Sequence, residues 1–245
     1  MKYTPWIREI SGAKKAALFV HGIVGTPAHF ADLMTVIPEE WSVYNILLDG
    51  HGKQVEDFAH TSMAKWKAQV TAQLDKILEK HEQVLIVAHS MGTLFAINEA
   101  IRLPDKVIGL FLLAVPLTPR VLPSAAVNSV KVALGRVKPG TSAWDMQNDC
   151  GVQLSPKLWK YLAWLPRFWE LILQAHRIRN KLSQIAVPCY AFQSAKDELV
   201  SSKACKLLLA QSHIDVTVLP NSGHFRYKGN DLSLLQDRLR HMIVK

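Results

Sequence analysis

The chain has little cysteine, no long hydrophobic run and no cluster of positive charge, and each lack removes a class of protein. Its three cysteines, Cys150, Cys189 and Cys205, form no C-x-x-C pair. An odd number of scattered thiols argues against a closed disulfide framework, so all three are expected to be buried or free. Only Cys150, in a polar stretch, leaves open the electropositive, accessible setting that a reactive cysteine needs. No apolar run approaches the roughly 18 residues of a membrane helix. The opening MKYTPWIREI lacks the apolar core of a secretory signal, and the expected location is the cytoplasm. Lys and Arg number 29 against 20 Asp and Glu, a formal charge of +9. These charges are spread and no nucleic-acid motif accompanies them, so they read as a solvated basic surface and nucleic acid is not an expected partner. Internal repeats, low-complexity tracts and Gly/Ser linkers are missing too.

What is present can build a large core. Of 245 residues, 49% are hydrophobic, and the mean hydropathy of +0.08 suits a globular chain of one domain with an insertion. Short β-rich apolar runs alternate with amphipathic stretches, which predicts an α/β fold with a mostly parallel central sheet flanked by helices. The strands are expected at Ala16–Val20, Val43–Leu48, Val84–Ala88, Val107–Ala114, Cys189–Phe192 and Val216–Leu219. Thr26 can cap a helix with Pro27 at its first position, Ser62 one running to about Lys80, and Ser201 one to about Gln211; a last helix covers about Leu232–Ile243. Residues 116–187 break the rhythm with several prolines, helical segments and no good strand. They are expected to form a helical cap inserted into a single domain spanning 1–245, whose core is 1–115 and 188–245. The cap would lie over the carboxyl ends of the strands, where open α/β sheets place their ligands.

Within this frame, Val87-Ala88-His89-Ser90-Met91-Gly92 joins a predicted strand to a predicted helix. The sharp turn would lift the Ser90 hydroxyl clear of the sheet, and small residues two positions either side, Ala88 and Gly92, would relieve the crowding. The pattern is G-x-S-x-G with alanine for the first glycine. The helix that follows aims free N–H groups and its positive end at anything forming beside Ser90. The plainer alternative is that Ser90 only caps that helix. After the first strand comes HGIVGTP, residues 21–27, whose glycines allow a tight loop; around a nucleophilic Ser90, the N–H groups of Ile23 and Met91 would form an oxyanion hole. His21 reads as a support for that loop, and His51 in DGHG as a loop residue near the site rim.

A base for Ser90 should follow the last strand and an acid should precede it. Of the three histidines after Asp197, His213 precedes that strand, His241 lies in the terminal helix, and His224 in NSGH stands just beyond its carboxyl end. Asp197, in SAKDELV, follows the preceding strand. Glu198 is its rival, and because adjacent side chains on a turn point apart, only one of the two is expected to face inward. Asp215 begins a strand at the wrong edge, and Asp145 and Asp149 belong to the cap.

The ordered segments HGIVGTP, LDGHG, AHSMG, SAKDELV and NSGH resemble the α/β-hydrolase superfamily, and within it the small carboxylesterases and monoacylglycerol lipases with a compact helical cap. The resemblance spans residues 16–243, although the cap contributes no motif. It implies a serine ester hydrolase with Ser90 as nucleophile, Asp197 as acid, His224 as base, oxyanion donors at Ile23 and Met91, no metal and no organic cofactor. The departures are Ala88 in the elbow, the missing proline before GHG, and Ser194 where a glycine often stands. A thioesterase or other acyl or carbon-carbon hydrolase would use the same groups, and a non-catalytic binding module could keep the fold. The expected partner is a small-molecule ester. Four tryptophans, Trp144, Trp159, Trp164 and Trp169, fall in the insertion beside Lys157, Lys160 and Arg167. Helices at about Pro156–Leu165 and Phe168–Leu182 could roof the pocket, with packing expected for most of the four rings and pocket lining for one or two, and basic edges could bring the cap into transient contact with an anionic lipid surface.

Overall fold

Alternate residues of the central strands face opposite sides, and both sides are apolar. In β2 (Lys15–Val20), Ala16, Leu18 and Val20 join one core cluster while Ala17 and Phe19 join the other. In the fourth strand, Gln83–His89, Val84, Ile86 and Ala88 divide from Leu85 and Val87 in the same way. Strands apolar on both faces belong to a parallel sheet covered on both sides. A computed structural model describes residues 2–244. Its elements run β1 (Trp6–Arg8), β2, α1 (Ala31–Met34), β3 (Ser42–Asn45), α2 (Val55–Ala59), α3 (Met63–Leu78), β4 (Gln83–His89), α4 (Met91–Arg102) and β5 (Val107–Leu113). They continue with α5 (Pro123–Ala133), α6 (Ser142–Asp149), α7 (Leu165–Arg179), β6 (Cys189–Ser194), α8 (Lys203–Leu209), β7 (Ile214–Leu219) and α9 (Asn230–Val244).

The seven strands lie in the order β1-β3-β2-β4-β5-β6-β7, all parallel except β1, which pairs antiparallel with β3. Because β3 lies to one side of β2 and β4 to the other, the chain reverses direction across the sheet at β2/β4. Loops leaving the carboxyl ends of those two strands diverge there and open a crevice. The loop after β2 holds His21–Thr26, and the turn after β4 holds Ser90.

Several boundaries differ from the sequence reading. β1 has three residues at the sheet edge, too short to show an alternation. β3 ends at Asn45 instead of Leu48; the Ile46 N–H still donates to Phe19 O at 3.3 Å, and the Leu48 N–H donates to His21 Nε2 at 3.1 Å. The short α2 is held by a reciprocal cap between Gln54 and Asp57, a weak signal in the sequence. Ser62 does cap α3, its Oγ accepting from the Lys65 N–H. Ser201 lies two residues ahead of α8, where its Oγ accepts from the Lys203 N–H. In place of two helices separated near residue 166, a 3-10 turn at Leu158–Trp164 runs straight into α7. Pro166 sits in the first turn of α7, where its missing N–H breaks no helical bond.

Segment 116–187 contributes α5, α6, the 3-10 turn and α7, and it touches loops at the carboxyl end of the sheet. The Gly151 N–H donates to Val24 O at 2.7 Å, the Gly52 N–H to Gly151 O at 2.6 Å and the Gln153 N–H to Lys53 O at 2.8 Å. Gly151 is required here, since a Cβ at that position would lie 1.8 Å from Gly25 O. Among the described residues, no helix is long and apolar enough to cross a membrane.

Candidate active site

Ser90 lies between β4 and α4 with φ 49° and ψ −122°, a conformation that a side chain rarely adopts. The turn is held by backbone: the Ser90 N–H donates to Leu113 O at 2.8 Å, and Ser90 O accepts from the Thr93 N–H and the Thr93 hydroxyl at 3.0 and 2.6 Å. The Ser90 side chain makes no capping bond to α4. The capping alternative therefore fails, and the strained turn keeps the hydroxyl off the helix. Crowding around the elbow is severe on one side only. A Cβ on Gly92 would lie 2.2 Å from Val20 O, whereas Ala88, fully buried within β4, fits as alanine.

The HGIVG loop rests against this turn. A Cβ on Gly22 would lie 2.8 Å from Ser90 Cβ, so only glycine lets the loop backbone approach so closely. The Gly25 N–H closes the loop on Gly22 O at 3.0 Å. His21 is buried and accepts the Leu48 N–H at Nε2, so Nδ1 carries the proton and donates to Gly22 O at 2.8 Å. Burial holds its pKa well below the ordinary value, and His21 is a neutral strut under the loop. His51 is not at a rim. Its ring is buried against His21 at 4.6 Å between centroids and near Phe58 and Trp66.

Beyond β6 and β7, the structure brings Asp197 and His224 together. His224 Nδ1 lies 3.0 and 2.9 Å from the two carboxylate oxygens. Asp197 Oδ1 also accepts the N–H groups of Leu199 and Val200 at 2.8 and 2.7 Å, which fixes the carboxylate. Burial is the largest influence on His224 and pulls its pKa down. The charge and hydrogen bond of Asp197, with the charges of Asp149 and Glu198, together outweigh it, so the pKa stands above the ordinary value. Glu198 does not point away as expected: its Oε2 accepts the His224 backbone N–H at 2.9 Å. Both acids of the turn therefore reach His224, one at the ring and one at the main chain. Ser90, Asp197 and His224 are 5%, 6% and 3% exposed. Among the described residues, the His224 ring nitrogens bond only to Asp197 and none bonds to Ser90 Oγ. His224 is nevertheless beside the elbow, its ring 4.8 Å from that of His89.

The other candidates fall elsewhere. His213 bonds to Leu182 O, Asp215 pairs with Arg238, and His241 lies within α9. Cys150 is buried, and burial raises its thiol pKa to about 11, so it has no reactive setting; Cys189 is likewise raised to about 12. Of the four tryptophans in 116–187, Trp164 is buried and donates from Nε1 to Val55 O at 2.8 Å. Trp159 and Trp169 are 66% and 62% exposed, so packing is not their role.

One group that sequence reasoning missed is His29, His89 and Asp149, whose potential ligand atoms lie within 4.8 Å of one another. The imidazoles of His29 and His89 are stacked, with centroids 3.9 Å apart and planes at 28°. Nitrogen lone pairs lie in the ring plane, so nearly parallel stacked rings cannot converge on one tetrahedral ion. His29 Nδ1 instead bonds to Asp149 Oδ1 at 2.8 Å. No sequence spacing signals this contact, which joins positions 120 residues apart.

A strained serine on a strand-to-helix elbow, a glycine loop against it, and a buried acid–imidazole pair after the last strands together define a hydrolase architecture of α/β type. The chain belongs to the alpha/beta hydrolase family, whose sequence model matches residues 17–230. It is 24% identical over 236 residues to a thermostable monoacylglycerol lipase of Bacillus sp. (strain H-257), covering 93% of this chain and 90% of that protein. Its fold is shared with a structure of the metagenome-derived lipolytic enzymes LipS and LipT, at TM-score 0.75, 20% identity and 99% and 98% coverage of this and that chain. It is shared also with a monoacylglycerol lipase of Paleococcus ferrophilus, at TM-score 0.69, 16% identity and 98% coverage of both chains. A thioesterase domain from the curacin biosynthetic pathway matches at TM-score 0.62 and 19% identity, covering 98% and 94%.

Proposed function

We propose that the chain is a serine hydrolase that cleaves carboxylic esters of apolar or glyceride-like substrates through an acyl-Ser90 intermediate. The observation that carries this reading is the Asp197–His224 pair beside a serine held at positive φ without a capping bond. His224, neutral and oriented by Asp197, takes the Ser90 proton as the hydroxyl attacks the ester carbonyl. The N–H groups of Ile23 and Met91 receive the negative oxygen, each such donor lowering the barrier by about 2.7–4 kcal/mol. The alcohol leaves with the proton from His224, and water activated by the same imidazole releases the acid from Ser90. A Ser90–His224 hydrogen bond forms as substrate enters, since such bonds are commonly longer in the free enzyme.

Glyceride-like esters are favoured because such substrates reside at lipid surfaces and the cap offers one an apolar face. Leu162, Leu165, Trp159 and Trp169 are among its exposed side chains, with Lys157 and Lys160 beside them. A thioesterase reading draws on the formal charge of +9, which suits an anionic carrier thioester. Initial rates on matched esters and thioesters over a range of acyl lengths test the assignment. Faster cleavage of medium-chain esters supports it, and faster cleavage of coenzyme A thioesters replaces it.

A further inference from the structure

The base of this site is held by more than its acid. Two side chains bond directly to the peptide groups of His224. Glu198 Oε2 accepts its N–H at 2.9 Å, and His89 Nε2 lies 3.0 Å from its carbonyl oxygen. A ring nitrogen facing a carbonyl must carry the hydrogen, so His89 is the Nε2–H tautomer and donates. Burial keeps His89 neutral, its pKa well below the ordinary value, so this tautomer persists across the working pH range.

Both contacts are built rather than incidental. Gly223, next to His224, would place a Cβ 3.0 and 3.1 Å from the Glu198 carboxylate oxygens, so a larger residue there would push the carboxylate by a few tenths of an ångström. Glu198 is fixed in turn by its own carbonyl, which accepts the Leu122 N–H at 3.0 Å. His89 is stacked on His29, which bonds to Asp149. Each clamp therefore connects to segment 116–187, directly at Leu122 for Glu198 and through His29 at Asp149 for His89.

Taking His224 as the base of the proposed hydrolase, we propose that Glu198 and His89 are positioning residues that clamp the His224 main chain between the acid turn and the nucleophile elbow. The imidazole is then aimed by three points: Asp197 on its ring, Glu198 on its N–H and His89 on its carbonyl. Glu198 has a second, separable effect, because its charge favours the protonated imidazole. The titratable groups around His224 are Asp197 and Glu198 on the acid turn, Asp149 on α6 and His89 on the elbow.

The test uses the full chain with a short p-nitrophenyl ester, measuring kcat, KM and the pH profile of kcat/KM, with fluorophosphonate labelling of Ser90 in the parent and thermal unfolding of each variant. Glu198→Ala should lower kcat about tenfold to a hundredfold with KM little changed, the size of a lost hydrogen bond to a charged group. Glu198→Gln keeps a carbonyl acceptor and should restore kcat to within a few-fold of the parent while the acid limb moves to lower pH, because the charge is gone. His89→Ala should also lower kcat, and His89→Gln, whose amide N–H can reach the same carbonyl, should recover most of it without moving the limb. Equal losses in Glu198→Gln and Glu198→Ala, or a Glu198→Ala enzyme with parental kcat and pH profile, would overturn the clamp while leaving Ser90 labelled. A parent enzyme in which Ser90 is not labelled would overturn both the clamp and the hydrolase reading. Should Glu198→Ala fail to fold, the His89 pair decides: a loss of kcat in His89→Ala that His89→Gln recovers supports the clamp, and parental kcat in His89→Ala overturns it.

Discussion

Helices α3 and α7 are nearly equal in length, 16 and 15 residues, and both are amphipathic, yet they use their apolar residues in opposite ways. In α3, Met63, Trp66, Val70, Leu74 and Ile77 form one stripe and all are buried against the sheet. In α7 the buried stripe is Leu171, Gln174, Ala175 and Ile178, while Leu165, Phe168, Trp169, Ile172 and Leu173 remain exposed. A helix that packs on one neighbour needs one apolar stripe. A second stripe facing solvent is not explained by packing within the chain, and we propose that it meets a lipid surface, since contiguous exposed apolar patches often mark interaction sites. We propose that the two regions divide the work: the sheet with its loops, the floor, carries the chemistry, and segment 116–187, the cap, presents a surface.

Breaking the floor should have the largest effects. Ser90→Ala is expected to cut turnover by about 10⁴-fold or more with the thermal unfolding curve unchanged, as measured on a short p-nitrophenyl ester. Asp197→Asn should lose about 10⁴-fold through the wrong imidazole tautomer. If Glu198→Gln proved the crippled variant and Asp197→Asn did not, the acid would be wrongly assigned.

A core substitution sharpens the same contrast in stability. Trp66→Ala, at a fully buried ring whose Nε1 donates to Asp49 O, should cost about 3–5 kcal/mol in denaturant unfolding. Trp169→Ala should change stability by no more than about 0.5 kcal/mol. The same Trp169 variant should weaken binding to vesicles of anionic phospholipid and slow hydrolysis of a dispersed glyceride, with rates on a soluble ester unchanged. Equal stability losses in the two tryptophan variants would erase the distinction between the helices.

The smallest effect concerns pH. In the proposed mechanism His224 must be neutral to act as base, and the Asp197, Asp149 and Glu198 carboxylates hold its pKa above the ordinary value. Activity should therefore fall on the acid side with an inflection above the free imidazole value of about 6.5. An inflection below that value would mean that desolvation prevails over the carboxylates.

The floor was largely legible in the sequence because its chemistry is local. The apolar runs of β2, β4 and β5 need only their own residues to declare themselves, and the elbow, glycine loop and NSGH turn are each a few residues long. Resemblance to a known superfamily supplied the order that joined them. What was hidden depends on contacts between distant positions. Nothing in SAKDELV shows that Glu198 reaches a peptide group 26 residues on, or that His29 stacks on His89. The cap was hardest, since the 3-10 turn entering α7 and the exposure of Trp159 and Trp169 follow from tertiary packing, while helical spacing alone is compatible with burial.

Labelling with a fluorophosphonate, with the modified residue located by mass spectrometry, tests the central claim most directly. One adduct is expected, on Ser90, formed rapidly in the parent, absent in Ser90→Ala and strongly slowed in His224→Ala. No adduct on the folded protein, or an adduct on another serine that persists in Ser90→Ala, would contradict it.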